Sequence, residues 1–158
     1  MIRRLSSKDA TNICNIINLA ASAYNGVIPD DCYHEPYMPE EELQHEMTKM
    51  TFFGWEEAEK LVGVIGLQPI KDVTLIRHAY VLHDYQRTGI GSRLLDHIRQ
   101  RTKSRLLLVG TWAAVTWAIN FYKKHGFILM PNKDELLQKY WDIPRRQVET
   151  SVVLMLEL

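Results

Sequence analysis

Cys14 and Cys32 are the only thiols in this chain, and no CxxC spacing joins them. That leaves no basis for a disulfide framework and fits a reduced, cytoplasmic setting. A surplus of charge is also missing, since nineteen basic residues face nineteen acidic ones. The balance removes the electrostatic case for nucleic acid or an anionic membrane as a partner. No apolar run approaches the roughly 20 residues of a membrane-spanning helix. Met1-Ile2-Arg3-Arg4 leads into no signal-peptide core, and Lys133-Asp134-Glu135-Leu136 is internal, so it is no retention signal. Cys32 and His34 lie within three residues of each other without a matching pair elsewhere, so no metal is expected. Repeats and low-complexity segments are absent.

What is present reads as one globular domain over residues 1–158, with 46% hydrophobic and 24% charged residues. Its centre is the stretch from Val73 to Leu95. Val73 to Leu82 is β-branched and aromatic, as a strand requires. Leu94, Leu95 and Ile98 form one stripe of a following helix, whose other side carries Arg93, Asp96, Arg99 and Gln100. Between strand and helix lies Gln86-Arg87-Thr88-Gly89-Ile90-Gly91. The two glycines permit a sharp turn and a close approach to a ligand. The amides of Thr88 to Ser92 open the helix, where unpaired donors and the positive dipole end favour an anion. A P-loop needs Gly-Lys-Ser/Thr after the loop, and a dinucleotide fingerprint needs a third glycine near Leu94; neither is there.

Around this centre the chain divides readily. Ile2 to Leu5 is an expected edge strand, and Ser6 or Ser7 caps a helix from Lys8 to about Tyr24 with Cys14 in its apolar stripe. Residues 27–39 form a loop with three prolines, carrying Asp30, Asp31, Tyr33, His34, Glu35 and Tyr37. Pro39 to Met50 is an expected helix with an acidic first turn. Thr51 to Glu56 and Leu61 to Gln68 flank a turn and make a hairpin. Arg105 to Val109 reads as a buried strand, Ala118 to His125 as a helix stopped by Gly126, and Phe127 to Met130 as a strand. Asn132 to Tyr140 is a short helix, broken at Trp141-Asp142-Ile143-Pro144. Val148 to Leu156 is the expected last strand.

The glycine loop resembles the acetyl-CoA pyrophosphate loop of the GNAT N-acetyltransferase superfamily. Ala118-Ile119-Asn120-Phe121-Tyr122-Lys123-Lys124-His125-Gly126-Phe127 resembles its second signature, Ala-x-x-Phe-Tyr-x-x-x-Gly-Phe, in the expected order. The resemblance implies a mixed α/β fold with a splayed central sheet flanked by helices. It implies acetyl-CoA as the acyl donor, with no metal. Ala79, Tyr80 and Val81 would hold the pantetheine arm, and Gln86, Arg87, Thr88, Gly89, Ile90, Gly91 and Ser92 the pyrophosphate. Tyr122 falls where a tyrosine commonly protonates the leaving thiolate.

Two positions depart from the pattern. Many members carry a cofactor-contacting asparagine where this chain has Val115. Some that acetylate protein N-termini place a glutamate base at the position of Gly110, which weakens that reading. The base is therefore open among His78, Glu56, Asp31, His34, Glu35 and a water chain. Asp31, Tyr33, Glu35, Glu56 and Trp141 are candidate acceptor contacts. The expected activity is acetyl transfer to the primary amine of a small molecule, and a homodimer stays open. The rival readings are a non-catalytic acyl-CoA sensor and a protein lysine acetyltransferase.

Overall fold

A computed structural model describes residues 1–158. Its seven strands form one sheet in the order β1-β2-β3-β4-β5-β7-β6, flanked by helices. The contacts gather the chain into two compact units, each assembled from separate stretches of sequence.

The first unit takes Met1–Ser22, His34–Gln68 and Ile76–Thr102. It holds β1 (Ile2–Arg4), α1 (Ala10–Ala21), α2 (Glu40–Glu46), β2 (Thr51–Glu57), most of β3 (Lys60–Ile70), most of β4 (Val73–Val81) and α3 (Ile90–Arg101). Ser6 opens the first helical stretch with a capping box, in which Asp9 reaches back to the Ser6 amide at 2.8 Å. Ile13, Ile16 and Ile17 then fall on one side of α1 and pack with Leu43, Phe52 and Val64 in a buried cluster. Cys14 belongs to this cluster, and its thiol donates to the Met38 carbonyl at 3.0 Å. The hairpin pairs β2 antiparallel to β3, from Thr51 opposite Leu67 to Glu57 opposite Lys60. Ala58 and Glu59 both have positive φ (48° and 65°), the two-residue turn that suits the twist of such strands although no glycine is used. The predicted helix to Met50 stops at Glu46, and the chain turns through Thr48 and Lys49 before β2.

On α3, Leu94, Leu95 and Ile98 are buried as the pattern predicts. A second stripe of the same helix meets the aromatics of β2. The Arg93 guanidinium lies 5.2 Å from the Trp55 ring, His97 meets Phe53 edge-on at 4.6 Å, and Arg101 lies 5.6 Å from Phe53. Steps of four residues put these three side chains on one face, over aromatics two apart on the strand. Burial and the nearby Arg101 charge push the His97 imidazole below its ordinary value.

The second unit takes Ala23–Tyr33, Pro69–Leu75 and Lys103–Leu158. It contains β5 (Leu106–Trp112), α4 (Thr116–Lys124), β6 (Ile128–Leu129), α5 (Lys133–Tyr140), α6 (Arg145–Thr150) and β7 (Ser151–Glu157). Strand β7 pairs antiparallel with both β5 and β6, with Val109 and Leu129 on either side of Leu154. Val73, Leu75, Leu108, Leu137, Tyr140 and Val153 form its core. The expected strand from Val148 is corrected here. Val148 to Thr150 are helical, because Pro144 both ends the preceding segment and starts α6, whose Val148 N–H donates to the Pro144 carbonyl at 3.2 Å. No helix of the chain is long and apolar enough to cross a membrane.

The buried stripe of α3 sets its stability. Ile98→Ala removes a fully buried side chain and should cost about 2–5 kcal/mol, whereas Arg99→Ala on the outer face should stay within about 0.5 kcal/mol. Urea unfolding of the two variants checks the contrast.

Candidate active site

After Val81 the chain makes a single helical turn at His83–Tyr85, and the Tyr85 carbonyl accepts the Thr88 hydroxyl at 2.6 Å. The Gln86 amide closes the loop from the other side by donating to the Val81 carbonyl at 3.0 Å. Arg87 (φ +63°) and Gly89 (φ +87°) are left-handed, and Gly89 is the N-cap of α3. The helical ladder opens with Arg93 donating to the Gly89 carbonyl at 3.0 Å, so the Ile90 and Gly91 amides precede it. Ile90 is buried and pins the loop, while Gln86 to Gly89 are exposed. A side-chain carbon built on Gly89 would meet no atom within 4 Å. Open space at a helix N-terminus fits a phosphate group.

Upstream of this loop, β4 breaks its own alternation. Neighbouring strand residues point to opposite faces, yet Arg77 and His78 both reach the carboxylate of Glu46. Arg77 donates to Glu46 Oε1 at 2.9 Å and His78 Nε2 lies 2.8 Å from Oε2. His78 has φ +52°, a left-handed conformation costly for a β-carbon-bearing residue, and this turns its side chain to the same side. Gly66 on β3 accommodates the distortion, because a side-chain carbon there would lie 2.8 Å from the Arg77 carbonyl. The second Arg77 nitrogen donates to Gln68 at 2.9 Å, and the His78 ring stacks on Phe52 at 6.1 Å. Burial acts to raise the Glu46 carboxyl, but the His78 hydrogen bond and the charges of His78, Arg77 and His45 outweigh it. The net result lies below the usual carboxylate range. Sequence reading found His78 and missed Glu46, since a polar residue near a helix end carries no signal of a partner 32 positions away.

Ala79 is exposed, whereas Tyr80 and Val81 are half-buried, with Tyr80 packed against the α1–α2 core. Gly91 and Ser92 are half-buried in the first turn of α3.

In the second unit Tyr122 is 5% exposed, with Phe121 edge-on at 5.2 Å and Phe127 at 5.3 Å. Burial, and then the neighbouring Tyr24, push its phenol up, so it keeps its proton through neutral pH. Gly110 explains one departure from the family pattern. A side-chain carbon there would lie 3.3 Å from the Trp141 ring, so a base at that position would have to shift the tryptophan. Val115 explains the other, being fully buried at the N-cap of α4, where an asparagine amide would need buried partners.

Three of the expected acceptor contacts have partners within the fold. Asp31 is bound by Arg146 at 2.7 and 3.3 Å, so its charge is already met. Glu56 is paired with Arg3, which also binds Asp9 at 2.7 Å. It lies four residues along β2 from Phe52, whose ring stacks on His78. Trp141 covers Gly110. Tyr33 is half-buried and Glu35 exposed. His34 is tied locally, with Nδ1 2.8 Å from the Pro36 carbonyl and its ring stacked on Tyr37 at 6.1 Å.

The acetyltransferase (GNAT) family model matches residues 14–127, which include the glycine loop, His78 and Tyr122. The chain belongs to this family. It is an acetyltransferase by that membership. The fold is that of PaiA N-acetyltransferase from Thermoplasma acidophilum in complex with coenzyme A (18% identity, TM-score 0.74, covering 100% of this chain and 98% of that one). It is equally that of an IAA acetyltransferase from Bacillus cereus (20% identity, TM-score 0.71, 100% and 99% covered). A GNAT family acetyltransferase from Elizabethkingia anophelis with acetyl-CoA bound shares it too (20% identity, TM-score 0.66, 100% and 97% covered).

Glu46 binds its proton more weakly folded than unfolded. The unfolded chain therefore takes up more protons as pH falls, and this part of the stability, complete above about pH 4.3, is lost through the lower folded value. Glu46→Gln should flatten the acid limb of stability against pH, measured by urea unfolding from pH 7 downwards.

Proposed function

We propose that this chain is an acetyl-CoA-dependent N-acetyltransferase of the cytoplasm. It moves an acetyl group to the primary amine of a small molecule by direct attack on the thioester, with residues 1–158 working as one domain. The observation that carries the reading is the left-handed Gly89 N-cap with open space where a side chain would stand. Family membership and the coenzyme A or acetyl-CoA held by two of the structures sharing the fold support it.

The chemistry assigns the remaining roles. An amine must be neutral to attack, yet a lysine-like amine has an ordinary pKa of about 10.4. His78 receives the proton. The backbone of Ala79, Tyr80 and Val81 holds the thioester arm and supplies a donor where oxyanion charge develops. The amides from Arg87 to Ser92 take the pyrophosphate, and α3 adds the field of its N-terminus. Tyr122, kept protonated by burial, gives its proton to the leaving thiolate. Tyr33 and Glu35 are acceptor contacts in this reading, and Asp31, Glu56 and Trp141 stay candidates beside them. The filled space at Gly110 disfavours a protein N-terminus as acceptor.

Acetyl-CoA should raise the melting temperature, by about 2.7 kcal/mol of added stability at a hundred times its dissociation constant. Gly89→Glu, which adds bulk and like charge, should abolish the rise; an equal rise in both proteins would overturn the cradle. Turnover against a panel of amines, polyamines, amino acids and lysine peptides then identifies the acceptor. Binding without turnover on any of them would make the chain a sensor, and turnover on peptides alone a protein lysine acetyltransferase. Tyr122→Phe keeps the ring and should cost roughly 10² to 10⁴ in kcat with acetyl-CoA binding unchanged. Undiminished turnover would return the residue to a packing role.

A further inference from the structure

We propose that Glu46 is the positioning residue of the acetyl transfer, fixing the His78 ring in the form whose proton acceptor is Nδ1. The proposal rests on the reading of His78 as the base, and names the tautomer and the partner that make it one.

The two Glu46 oxygens are divided between two donors. Arg77 takes Oε1 at 2.9 Å and His78 Nε2 takes Oε2 at 2.8 Å. A carboxylate that is ionised can only accept, so the neutral His78 ring carries its hydrogen on Nε2. The lone pair is then on Nδ1, which makes no hydrogen bond within the chain. Against its burial, the His78 hydrogen bond and the nearby charges of His78 and Arg77 keep Glu46 ionised, and Arg77 is itself held by Gln68 at 2.9 Å. Phe52, fully buried, supports one face of the ring. The run from Gln68 through Arg77 and Glu46 to His78 thus ends on one nitrogen able to take a proton.

The backbone adds a second reason. The positive φ at His78 places a residue in a conformation worth roughly 1–2 kcal/mol against it. A plain strand would send the imidazole to the face opposite Arg77, out of reach of the same carboxylate. Strain kept at one residue, and repaid by contacts that fix its side chain, is characteristic of sites that do chemistry.

The resulting step balances. The acceptor ammonium gives its proton to His78 Nδ1, leaving a neutral amine. The amine nitrogen forms a bond to the thioester carbonyl carbon, the carbon–sulfur bond breaks, and the thiolate takes the Tyr122 proton. The second proton on nitrogen leaves to water as the amide forms. Glu46 touches no reacting atom; its part is to hold Nε2–H and steady the imidazolium while it exists.

The test has two readouts. Nitrogen-15 chemical shifts of the neutral His78 ring in the wild-type protein should report the Nε2–H tautomer, and this needs no turnover. Kinetics of Glu46→Gln, His78→Ala and the double variant form the second. Glu46→Gln should lower kcat roughly 10- to 100-fold, as loss of a partner that orients a functional imidazole does. It should leave the acetyl-CoA melting shift intact and cost nothing further once His78 is alanine. An Nδ1–H tautomer, or the same loss from Glu46→Gln in both backgrounds, would overturn the proposal while leaving the acetyltransferase reading in place. If wild type shows Nε2–H but transfers acetyl to no amine, the acetyltransferase reading itself falls, and the catalytic role of Glu46 with it.

Discussion

A strand shows its side chains to alternate faces, and β4 keeps that rule only as far as Arg77. The left-handed backbone at His78 is where the rule fails, and a single carboxylate, that of Glu46, gathers the two residues that result. Much of the first unit serves this arrangement. Gly66 leaves room for the displaced carbonyl, Phe52 supports the ring, and α2 ends at Glu46, so that the acid stands at the edge of the helix. Buried charge is tolerated there because each oxygen has its own donor, and an ion pair broken at such a place leaves an uncompensated charge.

The second constraint lies beyond the C-terminal end of β4, in the loop that follows it. Gly89 combines a conformation closed to most residues with empty space on its side-chain face. The loop is held by its own side chains, Gln86 to Val81 and Thr88 to Tyr85, and by Ile90 beneath it. It therefore needs little ordering when a ligand arrives, which favours affinity.

The helices and strands were legible where period decided them. Leu94, Leu95 and Ile98 marked the inner face of α3, and Leu107 to Val109 marked a buried strand. The glycine loop was legible because glycine has a physical reason to stand there. Less visible were features made by long-range partners. Asp31 and Glu56 looked available because Arg146 and Arg3 lie 115 and 53 residues away in sequence. The packing of Trp141 over Gly110 was equally hidden, the two lying 31 positions apart. The start of α6 was hidden because Pro144 reads as a break, and the same residue also stands as the N-cap of a helix. Glu46 lay beyond reach for the same reason, its partner standing 32 positions away, and the backbone distortion at His78 added a second obstacle.

The stripe of α3 over β2 treats its cations unlike several other arginines of the fold. Arg3, Arg77 and Arg146 are each met by a carboxylate. Arg93 and Arg101 instead lie over aromatic rings, which hold a cation without cancelling its charge. The helix that carries the cradle thus keeps two positive charges whose field still reaches into solvent. Such a field raises the encounter rate of a polyanion and is screened over about 8 Å at physiological salt. Added salt should then slow the arrival of a phosphate-bearing ligand while leaving the docking of α3, which buries Leu94, Leu95 and Ile98, almost untouched.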